Sequence, residues 1–507
     1  MLSALIWLPV VGALAIALLP AAQAKLTAAI AASLVLILDL LLLRQFDVHA
    51  SGFQLAENLI WLEKLGLNYS LGIDGLSLPL VVLNGFLTWL IICFGDRQIK
   101  DRIPLFHILM LLIQAGVNGA ILSTNTLLFV LFYEIELIPL YLLIAVWGGA
   151  KRSYAATKFL IFTAISGVLI LVGILALGWL ASGGQPIFDY LALQNLDLPI
   201  SLQITLLIIL LLGFTIKAPF VPFHSWLPDA YVESTTPAVM ILGGIVAKLG
   251  TYGLFRFCVG LFPDAWAIFA PWVAIWAGLG ILYGAIVAIA QKDIKRMVAY
   301  SSIGHMSYIL LAAAAATPLS MVGGIIQMIS HGLVLALLFY LVGVIEEKVG
   351  TRELDVLNGL LNPIRGLPTT SALLILGGMA SAGIPGLVGF ISEFLIFQGS
   401  FSKFPIPTIF SIIGTGLTAV YFVILLNRTC FGKLDNHTAY YPKVSGLEQL
   451  PALILTGLIV LLGVQPSWLV RWSEVSAIGI LPTESKTLSA VSPSLYAKIA
   501  AEPRSQK

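Results

Sequence analysis

Ser201–Gly253 reads SLQITLLIILLLGFTIKAPFVPFHSWLPDAYVESTTPAVMILGGIVAKLGTYG. Residues 202–220 form one apolar run, interrupted around Lys217, Pro219 and Pro222, and residues 238–260 form a second with Lys248 near its middle. Each is close to the twenty residues that a helix needs to cross the hydrocarbon of a bilayer. A charge at such depth costs about 2.5–3.5 kcal/mol on insertion scales unless it meets a partner or water. The passage therefore predicts a membrane helix bundle that keeps charge in its interior, and the flanking sequence extends the same pattern in both directions.

Of 507 residues, 59% are hydrophobic and 10% charged, with mean hydropathy +1.00. That is more apolar surface than a water-soluble core can hide, so the main solvent is lipid. A closed β-barrel would show short alternating segments, whereas these runs approach twenty residues. The expected fold class is an all-α polytopic membrane protein. Fourteen spans are predicted, near 2–20, 27–43, 76–95, 103–121, 127–147, 159–180, 202–220, 238–260, 265–290, 297–316, 318–345, 372–397, 407–426 and 450–470. Ala22-Gln23-Ala24 resembles a signal-peptidase site, but residues 1–20 lack a basic leader, so the segment is kept as span 1.

Net charge is +2 and there is no dense Lys/Arg stretch, which argues against nucleic acid as a partner. Cys93, Cys258 and Cys430 lie far apart, without the spacing of a zinc, iron–sulfur or haem site, so no cofactor or metal is expected in this chain. Loops after odd-numbered spans carry sixteen Lys and Arg residues, against four after even-numbered spans. The positive-inside rule then puts both termini on the non-cytoplasmic face, followed by a polar tail from about 471 to 507.

Four ionisable residues lie inside spans: Glu134 in span 5, Lys217 near the end of span 7, Lys248 in span 8 and Glu393 late in span 12. Each has a plainer reading. Lys217 can snorkel to the interface, Lys248 less readily, Glu393 can bond backbone freed by a break, and Glu134 can make an isolated structural hydrogen bond. Two of these spans also carry break signals, Lys217-Ala-Pro-Phe-Val-Pro-Phe-His224 and Gly383-Ile-Pro-Gly-Leu-Val-Gly-Phe-Ile-Ser-Glu393. Interrupted helices at corresponding places in two halves mark the ion path of inverted-repeat transporters. On that basis residues 103–260 and 261–428 are expected to be two five-helix units, between an N-terminal part, 1–102, and a last helix with the tail, 429–507. His305 and His331 are secondary candidates, as proton carriers or as satisfied interhelical hydrogen bonds. Tyr300, Ser301, Ser302, Gln327 and Ser330 can hold water between them.

Gly72–Leu80, Glu134–Tyr141 (EIELIPLY), Lys217–Pro237, Lys248–Gly253, Tyr300–His305 and Gly383–Phe394 together resemble the antiporter-like, proton-pumping subunits of complex I, of the chain 4 type. The resemblance implies fourteen core helices in two inverted repeats. It also implies a mid-membrane proton route from a Glu134–Lys217 pair through Lys248 to Glu393, with His305 between. Glu136, two positions after Glu134 and so on roughly the opposite side of the helix, either faces a neighbouring subunit or offers an alternative proton site.

The length leaves no room for the long amphipathic arm of the related chain 5 type. Residues 136–159 resemble cyanobacterial and plastid members, which implies an NAD(P)H- or ferredoxin:plastoquinone oxidoreductase in a cyanobacterial thylakoid membrane, with a leaning toward the CO2-uptake variant. Quinone, iron–sulfur clusters and the electron donor would belong to partner subunits, and the neighbours would include chain 5 and chain 2 type subunits as well as lipid. The rival readings are a multisubunit cation/proton antiporter subunit and a structural membrane subunit that moves nothing. An independent enzyme is disfavoured, because no nucleotide loop or nucleophile constellation is present.

Overall fold

Backbone N–H and C=O groups find no water in hydrocarbon, so they pair within helices. The computed structural model describes residues 1–180, 185–433 and 441–481. In chain order these form α1 (Leu2–Leu18), α2 (Ala24–Gln45), strands β1 (Gln54–Leu62) and β2 (Leu67–Ile73), α3 (Ser77–Leu90), α4 (Ile103–Leu122), α5 (Thr126–Ile135), α6 (Leu137–Trp147), α7 (Arg152–Leu180), α8 (Tyr190–Gln194), α9 (Ile200–Lys217), α10 (Trp226–Glu233), α11 (Thr236–Ile241) and α12 (Lys248–Gly253). The remainder are α13 (Pro263–Ile289), α14 (Ile294–Ala315), α15 (Pro318–Val349), α16 (Pro368–Ser381), α17 (Val388–Phe401), α18 (Pro405–Cys430), α19 (Gly446–Val464) and α20 (Ser467–Ile480).

Among the described residues twelve helical segments are long and apolar enough to cross a membrane, and Leu2–Leu18 and Val388–Phe401 are shorter apolar helices. All fourteen predicted windows overlap helix, although those at 127–147, 372–397 and 450–470 are each divided between two helices and that at 238–260 runs through α11, α12 and π-helical turns. Polar residues close the ends. Asn125 accepts from Leu127 and Leu128, Asp293 from Lys295 and Arg296, and Thr317 and Ser445 form capping boxes with Ser320 and Glu448.

Burial is uneven, and it locates the centre. The segment Thr236–Val259 is wholly enclosed, as are nearly all of α14 and α15, whereas less than half of α7, α18 and α19 is covered. Exposed Val168, Trp272 and Val423 belong to the outer helices, where lipid covers them without cost.

Three features lie outside the sequence expectation. Residues 54–73 form an antiparallel hairpin, turned at Gly66 in a left-handed conformation (φ +65°). Its Glu57 accepts from the backbone N–H groups of Leu2 and Ser3, filling orphan donors at the start of α1. The predicted polar tail begins instead as α20, which buries Leu469, Ser473, Ser476, Ala477 and Ile480 at helical spacing; the tail beyond residue 481 lies outside the described residues. Arg256, one of the four Lys and Arg residues assigned above to loops after even-numbered spans, is a buried helical residue paired with Asp74 at 2.6 Å and flanked by the rings of Phe53, Tyr190 and Tyr252. Ser476 receives a hydrogen bond from the Gly75 N–H at 2.6 Å, so the hairpin, α20 and the Asp74–Arg256 pair form one joint.

Breaking a buried pair from one side leaves an uncompensated charge. Arg256→Met should therefore cost about 3–5 kcal/mol, and Asp74→Asn combined with Arg256→Met should recover part of that loss; thermal unfolding in detergent measures both. Burial works against the Glu57 carboxylate, but hydrogen bonds from the Met1 amino group and Ser3 outweigh it and hold the group below its usual range. Its contribution is thus present above about pH 4.3, the unfolded value, and is lost as the pH falls below it. The stability gap between the wild type and Glu57→Gln should be widest near neutrality and should close in acid.

Candidate functional site

The first ionisable cluster is built at two helix breaks. Pro139 has no N–H to offer the carbonyl of Ile135, and the chain accordingly divides into α5 and α6 with Glu136 at the junction. Pro219 likewise cannot bond Thr215, whose carbonyl instead accepts from Phe220 at 3.0 Å. The freed carbonyl of Ile216 takes the indole N–H of Trp226 at 2.9 Å, and that of Val221 takes the indole of Trp276. Helix α9 therefore ends at Lys217 with its backbone satisfied by side chains.

Lys217 Nζ donates to Glu136 Oε1 at 2.5 Å, and both side chains are buried. The ammonium also lies 4.9 Å from the ring centroid of Tyr133. Among the described residues the second carboxylate oxygen of Glu136 has no hydrogen-bond partner. Glu136 thus faces the interior of this chain rather than a neighbouring subunit. Glu134 is partly exposed and turns toward α7, where a Cβ at Gly167 would collide with its carboxylate. It remains within electrostatic reach of Lys217 and Glu136.

Lys248 is 0% exposed and opens α12 between two π-helical turns, Leu242–Val246 and Leu254–Val259. Such turns widen the helix and free carbonyls. Lys248 Nζ donates to the carbonyl of Gly243, and among the described residues no carboxylate pairs with it. The backbone of α12 comes so close to the end of α9 that a Cβ at Gly250 would stand 2.7 Å from the Ala218 nitrogen. Lys248 is accordingly placed beside the break that presents Lys217.

The second cluster forms where α14, α15 and α17 meet. His305 Nδ1 lies 3.6 Å from Glu393 Oε1, and Nε2 is 2.9 Å from Ser381 Oγ at the end of α16. Thr415 donates to Glu393 Oε2 at 2.8 Å and meets Tyr308 OH at 2.8 Å. Gln327 and Ser330 join through Ser392, whose hydroxyl donates to Gln327 Oε1 at 2.5 Å. His331 lies beside His305 with ring centroids 5.5 Å apart and the planes tilted, and among the described residues neither of its nitrogens has a hydrogen-bond partner. Both histidines are within electrostatic reach of Lys248. Glycine at Gly383 (φ +68°) ends α16 where any Cβ would crowd Glu393, so this break also makes room for an ionisable group.

The polar residues expected to hold water divide. Gln327 and Ser330 belong to the second cluster and Ser302 is buried with an unpartnered hydroxyl, while Ser301 bonds the Val298 carbonyl at 2.9 Å and Tyr300 stands beside Arg296 and His224. On the Lys/Arg-rich side an open cavity of about 290 Å³ is lined by Gln98, Glu233, Lys295, Glu346 and Arg352. Sequence reasoning does not single out Asp39, which is 0% exposed in α2.

Residues 123–418 match the family described as NADH:quinone oxidoreductase/Mrp antiporter, transmembrane. Over 520 residues the chain is 36% identical to NAD(P)H-quinone oxidoreductase chain 4 3 of Trichormus variabilis, covering 99% of this chain and 96% of that one. A chain 4 1 of Synechococcus sp. is 38% identical over 506 residues, covering 95% and 94%. A chain of respiratory complex I from Thermus thermophilus superposes with a TM-score of 0.85 at 27% identity, covering 95% of this chain and 100% of that one. The Mrp complex of Dietzia sp. contains a chain of the same fold, with a TM-score of 0.84 at 19% identity and coverage of 97% and 99%. The helical architecture and the matched family agree over most of the sequence, and the chain belongs to the NADH:quinone oxidoreductase/Mrp antiporter family of membrane subunits.

Proposed function

We propose that the chain moves protons as a membrane-arm subunit of a type-I NAD(P)H- or ferredoxin:plastoquinone oxidoreductase, coupled to redox chemistry in other subunits. One observation carries this reading: ionisable groups succeed one another through the enclosed centre, from Glu136–Lys217 past Lys248 to His331, His305 and Glu393. Glu134, set beside the first pair, serves as a feeder carboxylate in this scheme, and helices 103–260 and 261–428 act as two equivalent halves around Lys248.

In the resting geometry Glu136 stabilises the ammonium form of Lys217. A movement that parts them removes that attraction, and Lys217 then releases its proton inward. Lys248, bonded only to a neutral carbonyl, can accept and pass on a proton without a fixed counter-charge to hold it. His331 and His305 relay the proton to Glu393, which Thr415 orients. Waters complete the gaps. The redox cofactors, quinone, iron–sulfur clusters and electron donor, belong to the partner subunits in this scheme.

The proposed neighbours are chain 5 and chain 2 type subunits in a cyanobacterial thylakoid membrane, with the termini of this chain on the lumenal side. The resemblance of residues 136–159 to cyanobacterial members favours that setting, and within it the CO2-uptake variant. Subunit identification in the purified complex distinguishes this variant from respiratory and cyclic forms.

In vesicles containing the assembled complex, Glu136→Gln, Lys217→Ala, Lys248→Ala and Glu393→Gln should each lower redox-driven proton uptake by about tenfold or more. Glu134→Gln should lower it less, because the direct partner of Lys217 remains. Uptake unchanged in all four main variants at normal assembly would discard the pathway. Sodium exchange without a redox donor would instead favour the antiporter reading.

A further inference from the structure

Asp39 stands apart from this pathway, in the N-terminal helices ahead of the matched region 123–418. It is 0% exposed in α2, and among the described residues neither carboxylate oxygen has a hydrogen-bond partner. The side chain lies against Gly85 of α3, where any Cβ would collide with its Oδ2. Next to Gly85, Asn84 donates its Nδ2 to the carbonyl of Gln114 at 3.1 Å and to Asn118 Oδ1 at 2.8 Å. Asn118 in turn donates to the Leu5 carbonyl at 3.0 Å, and this fixes the sense of the chain. The Oδ1 of Asn84, the Oε1 and Nε2 of Gln114 and the Oγ1 of Thr88 are left buried without partners.

Asp39 on α2, Asn84 and Thr88 on α3 and Gln114 on α4 are thus each buried with oxygens that have no hydrogen-bond partner among the described residues, and the acceptors left over outnumber the donors. Water adds acceptors as well as donors, whereas a cation adds only positive charge and relieves the excess directly. Among the described residues no fixed cation is supplied from the elements packed around Asp39. Helices α1 and α3 contain no ionisable side chain, the turn after α3 adds only Cys93, and α4 adds only His107, whose Nδ1 meets the Ile103 carbonyl at 2.9 Å. On α2 itself, Lys25 and Arg44 belong to the first and last turns.

We propose that Asp39 is the carboxylate of an exchangeable monovalent-cation site, taking H+ or Na+, with uncharged oxygens of Asn84, Gln114 and Thr88 completing it. It neither uses nor depends on the Lys217–Glu393 route.

The test uses the full chain in phosphatidylcholine vesicles, unfolded thermally at constant ionic strength with Na+ exchanged for choline, at about pH 6 and about pH 8. For the wild type, Na+ should raise the midpoint by about 2 °C or more if Na+ is the occupant, and acid alone should do so if the occupant is H+. Asp39→Asn should show neither response. Identical responses in both proteins overturn the proposal, and so does a wild type indifferent to both ions, for Asp39 is then a permanently neutral structural group. Should Asp39→Asn fail to fold, Gln114→Leu keeps the carboxylate and removes an uncharged oxygen. It must shrink the wild-type response, and an undiminished response overturns the site.

Discussion

A charge enclosed by hydrocarbon must have a partner, a dipole or a proton to lean on, and the architecture follows from where those are supplied. Lys217 has Glu136, Arg256 has Asp74, and Glu393 has Thr415 and His305. Among the described residues Lys248 has only the carbonyl of Gly243. In the proposed route that difference separates a lysine fixed by a counter-charge from one that has none.

The supporting device is repeated. A helix is interrupted, its freed backbone groups are taken up by side chains or by a widened turn, and an ionisable residue stands at the interruption. Pro139 does this for Glu136, Pro219 and Pro222 for Lys217, and the Gly383-Ile384-Pro385-Gly386 segment for Glu393, while π-helical turns flank Lys248. Irregular backbone is tolerable here because the segment Thr236–Val259 and helices α14 and α15 are shielded from lipid by the outer helices. The end of α9 and helix α12 meet backbone to backbone at the Gly250–Ala218 approach.

The carboxylate on Lys217 illustrates how far local pattern reaches. EIELIPLY shows two glutamates and a proline, and the resemblance points to Glu134, yet the hydrogen bond belongs to Glu136. Two residues apart on a helix the side chains diverge widely, so rotation of the α5–α6 unit against α9 decides which one meets the lysine. Asp39, Arg256 and the hairpin escaped for related reasons. Asp39 lies close enough to Arg44 to read as an interfacial residue, Arg256 sits where a span was expected to end, and residues 54–73 show no helical period.

Apolar periodicity and charge placement by themselves determined a helical membrane bundle, the approximate position of its apolar helices, and the buried residues Lys217, Lys248 and Glu393 together with two helix breaks, because each of these is a local consequence of hydrocarbon excluding unpaired polar groups. Only the tertiary structure decided that Glu136 pairs with Lys217, that His305 meets Glu393, that Arg256 answers Asp74 across the hairpin, and that Asp39 is buried without a counter-charge among the described residues. Such pairings depend on the rotation and depth of one helix against another, and these are set by packing between residues tens to hundreds of positions apart.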